Sequence, residues 1–209
     1  MKSRMLWIVL AVATLTGRAD AHFVLVSPAP SLVQNRLGDP QKIAPCGGVS
    51  ANPGRGTPPN PGVPTGLVTE VKGGSMFHLL LQETVFHPGH YRVALARTAA
   101  QLPPDPVVTT RDSDRGPWSV SAAIQTPAVA PVLADGLFAH TERPTGLFEA
   151  DIAIPNITCK NCVLQVIEFM AEHAKNADGD YSYHHCGMVN ITADPAQPID
   201  ARWPAQAAR

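Results

Sequence analysis

The sequence predicts an all-β protein, an immunoglobulin- or fibronectin-III-like antiparallel sandwich with long loops. Three observations carry this. The 209 residues include 21 Pro and 16 Gly, a content that favours strands joined by irregular connections over a helical bundle. About seven or eight short segments are alternating or continuously apolar and end in turn residues. Helix caps and helical periodicity are almost absent.

The chain opens on a leader. Residues 1–21 carry Lys2 and Arg4, then the apolar run 6–15, then Ala19-Asp20-Ala21. A basic start, an apolar stretch too short to span a bilayer and an A-x-A site predict a signal peptide cut after Ala21. The product is secreted or periplasmic and begins at His22. Residues 22–193 then form one domain, and 194–209, with three Pro, form a loosely held tail.

The elements follow in order. His22-Phe-Val-Leu-Val-Ser makes a first strand that anchors the new terminus, which would otherwise fray. Residues 28–66, rich in Pro, Gly and Asn, make a long surface loop with Cys46 in the middle. Segment 67–71 is a strand, Gly73-Gly74 a turn, and 76–82 a strand covered on both faces. Pro88-Gly89 punctuates the next connection. Segment 90–97 alternates, with Tyr91, Val93 and Leu95 on one face. A second long loop covers 98–117. Strands are expected at 118–125, 129–133, 146–154, 162–170 and 181–192.

The formal net charge of −1 leaves no global basic field, so nucleic acid and anionic membranes are unfavourable partners. Beyond the leader no apolar stretch reaches membrane-spanning length. Four Cys in an exported chain read as two disulfides, of which three pairings are combinatorially open. Cys159 and Cys162 are close enough in sequence to pair locally, which leaves Cys46 for Cys186. A zinc half-site at Cys159-x-x-Cys162 is the rival reading.

Histidine carries the chemistry. As a first residue, His22 supplies two ligands, its α-amine and its ring Nδ1. An α-amine has a pKa of about 8, so a metal displaces its proton at little cost. Imidazole plus amine is a nitrogen-rich set suited to Cu(II). A partner is needed, and Phe86-His87-Pro88-Gly89-His90 offers two: His87 in the turn, or His90 at the start of the strand. Tyr183-His184-His185-Cys186 brings further aromatic and imidazole groups to the last strand. Asp178-Gly179-Asp180 is too incomplete for a calcium loop. Asn156 and Asn190 match a glycosylation sequon, and no Walker, G-x-S-x-G or H-E-x-x-H motif is present.

Together these residues resemble the copper-dependent lytic polysaccharide monooxygenases, and in particular bacterial polysaccharide monooxygenase-like proteins. The likeness rests on His22, on Pro45-Cys46-Gly47-Gly48, on the run from Glu83 to Arg92, on Cys159-x-x-Cys162-x-Leu-Gln and on Tyr183-x-x-Cys186. It implies a sandwich whose flat end holds copper in a histidine brace. The His22 amine and Nδ1 and the His87 ring would bind the metal, and Tyr183 would lie at the axial position. His173 would handle oxygen species nearby, and Cys46 would pair with Cys186. An external reductant and O2 or H2O2 would then drive oxidation at C1 or C4 of a chitin- or cellulose-like polysaccharide, with the protein acting as a monomer. Trp118 and the loops 50–65 and 99–117 are the candidate substrate face. Proteins of the same fold that bind or deliver copper without oxidising sugar are the alternative. They add a carboxylate ligand, for which Glu83, Asp178 and Asp180 are the donors to consider.

Overall fold

The computed structural model describes residues 22–52, 56, 58–114, 116–176, 178, 181–201 and 203. The expected leader, 1–21, Asp180 and the end of the expected tail, 204–209, lie outside the described residues.

The described chain is a β-sandwich. Its strands are β1 (His22–Ser27), β2 (Val68–Lys72), β3 (Met76–Val85), β4 (Gly89–Ala96), β5 (Val108–Arg111), β6 (Trp118–Ala122), β7 (Val132–His140), β8 (Phe148–Ala153), β9 (Cys159–Met170) and β10 (Ser182–Thr192). One sheet has the order β1-β3-β8 and the other β2-β10-β9-β4-β7, while β5 and β6 form a separate hairpin. Every pairing is antiparallel except β2 with β10, which is parallel. The larger sheet is therefore mixed.

Alternation explains which face is inside. From β1 and β3, Phe23, Leu25, Leu79 and Leu81 point inward; from β4, β9 and β10, Tyr91, Val93, Leu95, Leu164, Val166, Tyr183 and Val189 meet them. Each such side chain taken out of water contributes about 1.5–3 kcal/mol. Phe23 meets Tyr91 edge-on at 5.3 Å between ring centres, which ties the two sheets together near one end.

One expected loop is partly strand, and one expected strand has other bounds. Segment 108–111 pairs with β6 inside what reads as a continuous loop. The strand expected at 129–133 starts only at Val132, after Pro131, which has no N–H to donate. It then runs on to His140 through Gly136 at φ 68° and Phe138 at φ 52°. Those two residues break the alternation on which sequence reading depends.

Both disulfides are formed: Cys46–Cys186, with Cα atoms 5.0 Å apart, and Cys159–Cys162. The first pins the long 28–66 loop to β10. Ser31 N–H donates to the Cys186 carbonyl at 2.7 Å, and Gln165 Nε2 donates to the Pro45 carbonyl at 2.8 Å. The same loop seals the open edge of β1. Gln34 exchanges hydrogen bonds with the Leu25 N–H and carbonyl at 2.8 and 2.9 Å, standing in for a neighbouring strand.

The stretch expected to be loose is fastened over 194–198. Asn156, buried rather than presented as a glycan acceptor, donates through Nδ2 to the carbonyls of Asp194, Gln197 and Pro198. Its Oδ1 accepts the Asp194 N–H at 2.7 Å.

Candidate metal centre

His22, His87, His173 and Tyr183 come to the same end of the sandwich. His22 pairs with Val85 at the end of β3, and the chain turns through His87 into β4, whose Gly89 pairs with Met170 at the end of β9. Tyr183 lies across from Glu168. Two ring pairs result. His22 meets Tyr183 edge-on at 5.2 Å between centres, and His87 meets His173 at 4.8 Å. All four side chains are buried.

The start of β1 is gripped from several sides. The Phe23 N–H donates to Gln41 Oε1 at 3.2 Å, and the Phe23 carbonyl accepts from His185 Nε2 at 3.0 Å. The His22 carbonyl accepts from Thr84 Oγ1 at 3.0 Å. The His22 ring holds Asp39 through Nε2, 3.3 Å from Oδ2. Burial works to raise the Asp39 pKa, but the bond to His22 and the charges of His22 and Lys42 outweigh it and hold the carboxyl below its ordinary value. Asp39 is therefore a carboxylate. In a neutral His22 ring it fixes the proton on Nε2 and so leaves the lone pair on Nδ1.

The His87 ring is set in the complementary sense. Its Nδ1–H donates to the Ala171 carbonyl at 3.0 Å, which leaves the lone pair on Nε2. The turn itself is locked. Ala171 N–H donates to the Pro88 carbonyl at 2.7 Å, and a Cβ at Gly89 would fall 1.9 Å from the Phe169 carbonyl oxygen. Glycine is the residue that fits. His173 is fixed through its main chain, whose N–H donates to Ser119 Oγ at 3.0 Å, and its Nδ1 faces the Ala174 carbonyl.

His90, the other partner considered, turns to the outer face of the larger sheet against Phe169 at 5.2 Å. Burial first, then the Arg92 charge, lower its pKa, with Asp135 opposing. Of the carboxylates considered as ligands, Glu83 is turned into the interior, and Asp178 accepts the Ser50 N–H at 3.1 Å.

Sequence reading missed Asp39, Gln41, Thr84 and His140. None carries a local signal, since each acts on a residue distant in sequence. His140 Nε2 donates to Glu83 Oε1 at 3.1 Å and its Nδ1 to the Phe138 carbonyl at 2.7 Å. Both ring nitrogens face acceptors. Burial opposes the charge, but Glu83, Phe138 and the His87 main chain together hold the His140 pKa above its ordinary value.

Among the described residues no three His, Cys, Asp or Glu side chains are grouped so as to hold a metal ion. A brace asks for less, namely two rings and an amine, and that amine arises only when the chain is cut before His22. The two rings fit such a ligand set: each has one nitrogen committed to an outer acceptor, the arrangement that orients metal-binding histidines. A cleft of about 830 Å³ lies at the far end of the sandwich, lined by Val129, Val132, Ile154, Asn156 and Trp203, remote from these groups.

The fold and this end define an all-β sandwich with a fixed histidine at the start of β1 and a second, oriented imidazole. No family model and no curated protein matches the chain. Among the described residues no helix is long and apolar enough to cross a membrane.

Proposed function

We propose that this chain is an exported copper protein of the histidine-brace type, acting as a monooxygenase on polysaccharide. One observation carries the reading: His22 and His87 each commit one ring nitrogen to an outer acceptor, Asp39 and the Ala171 carbonyl. Rings held this way offer Nδ1 of His22 and Nε2 of His87, the pair a brace uses beside the terminal amine. The bonds on the main chain of His22 and Phe23 support the same reading, because a ligand at a chain end is useful only if that end is immobilised.

When bound, copper supplies one-electron chemistry and the activation of O2 or H2O2. The chain does the rest. Tyr183 packs against the His22 ring and closes one side of the site with a fully buried ring. His173 stands beside His87 and offers an imidazole that can take or give a proton there. Trp118, with Arg111 lying 5.9 Å from its ring centre, borders His173 through Ser119 and is the part of the surface best suited to a sugar chain.

The test uses protein beginning at His22, loaded with copper and given ascorbate, on chitin and on cellulose. Release of oxidised oligosaccharides, lost in the copper-free protein, is the expected result. One tightly bound Cu(II) with no oxidised product from these or other polysaccharides would instead mark a copper-binding or delivery protein.

A further inference from the structure

We propose that Glu83 and His140 form a buried clamp that sets the His87 imidazole for its metal, which makes both of them positioning residues. The inference rests on the copper reading above and adds groups which that reading does not use.

Glu83 is an inward residue of β3, paired with Phe23, and its side chain is only 1 % exposed. A carboxylate in such a place is costly, and its Oε2 is buried with no hydrogen-bond partner among the described residues. Oε1 accepts two hydrogen bonds, from the His87 N–H at 3.1 Å and from His140 Nε2 at 3.1 Å. The other nitrogen of His140 donates to the Phe138 carbonyl at 2.7 Å, so with Glu83 ionised both ring nitrogens carry protons. That carbonyl is delivered by a non-glycine residue at φ 52°, a conformation that costs about 1–2 kcal/mol. In the β4–β7 register His140 also lies opposite Gly89, the end of the His87 turn. The ion pair therefore grips the His87 peptide from within, while Ala171 fixes the ring from outside.

The His140 ring also packs against Phe86, Tyr91 and Phe148, a role that an apolar side chain of similar size could fill. Tyr91 and Glu168 stand behind Glu83, both fully buried, and burial first, then the Glu83 charge, push the Glu168 pKa well up. A second carboxyl group in that interior costs free energy if it ionises beside the first. Buried ion pairs are commonly neutral or unfavourable for stability relative to apolar replacements. Stability does not account for this one; orientation of His87 does.

The test is the double variant Glu83→Leu/His140→Leu, in protein beginning at His22. Removing both charges together avoids leaving one buried ion unpaired, so the double variant is expected to fold. Cu(II) affinity, measured by competition with a chelator, is expected to fall about 10–100-fold, as for the loss of an outer partner, with an altered Cu(II) EPR spectrum. Glu83→Gln, which keeps an acceptor for the His87 N–H, is expected to stay within about threefold of wild type, in line with retaining a neutral hydrogen bond. A folded double variant with wild-type affinity and EPR spectrum overturns the proposal, as does a Glu83→Gln loss as large as that of the double variant. If the double variant does not fold, His140→Gln replaces it, with a smaller loss of affinity expected and none overturning the clamp. If the wild-type protein itself binds no Cu(II), the brace fails, and the clamp is read in the metal-free protein. There the His87 amide should exchange with D2O about tenfold faster in the double variant, roughly the loss of one hydrogen bond, and an unchanged rate overturns it.

Discussion

His87 and His90 stand three residues apart and do different work. His87 sits in a turn fixed by Glu83, Ala171 and the close approach of Gly89 to Phe169, and its ring meets His173. His90 packs on Phe169 on the outer face of the sheet. His87→Ala is therefore expected to weaken Cu(II) binding by more than the ~10–100-fold typical of an outer partner, whereas His90→Ala leaves it near wild type. Isothermal titration of the two variants checks this, and the reverse order reassigns the ligand. At this scale the sequence was informative wherever a motif is local. His22 follows an A-x-A sequence, and His87 precedes a Pro-Gly turn. Asp39 was invisible, because what gives it a role is not its neighbours in the chain but the His22 ring, brought to it by folding.

The element that brings Asp39 there is the 28–66 loop. It carries Gln34 and Gln41 to the backbone of β1 and Asp39 to the His22 ring, and it is stapled to β10 by Cys46–Cys186 over a separation of 140 residues. Closing so long a loop removes much freedom from the unfolded chain, and losing such a native bridge costs about 2–5 kcal/mol. Cys46→Ser/Cys186→Ser should show this as a lower midpoint in guanidinium denaturation. Copper affinity should fall with it as Asp39 loosens. Stability equal to wild type would mean that the loop holds itself. Strands with clean alternation, such as β4, were legible from residue order alone. β7 was not, because Gly136 and Phe138 turn its backbone through positive φ, and β5 was hidden by its shortness and its polar Thr109 and Thr110. The parallel pairing of β2 with β10 has no local signature at all, since both strands would read the same in either sense.

Across the whole molecule, buried titratable groups gather at the histidine end, and they make stability depend on pH. Burial lowers the His185 pKa to about 4, against the opposing effect of the bond to the Phe23 carbonyl. A histidine titrates at about 6.5 in the unfolded chain. Above that value neither state carries the proton and the fold is at full strength. Between about 6.5 and 4 the unfolded chain takes up a proton that the folded one refuses, so stability falls with falling pH, by about 3 kcal/mol in all. His90, whose pKa is also lowered, adds in the same direction. His185→Gln keeps a donor for Phe23 and should flatten this limb in urea denaturation followed from pH 7 to pH 4; an unchanged slope would assign the loss to other groups. The fold class was legible at this scale because composition and alternation suffice for a sandwich. Of the candidate site, residue order singled out histidines that the fold brings to one end, while the groups that orient them are assembled by topology. The most direct test of the account compares Cu(II) binding by protein beginning at His22 with the same protein carrying one added residue before it. The account predicts one tightly held Cu(II) with a nitrogen-rich tetragonal EPR spectrum in the first and loss of that site in the second, because a peptide nitrogen cannot replace the amine. Equal affinity and equal spectra in the two proteins would contradict it.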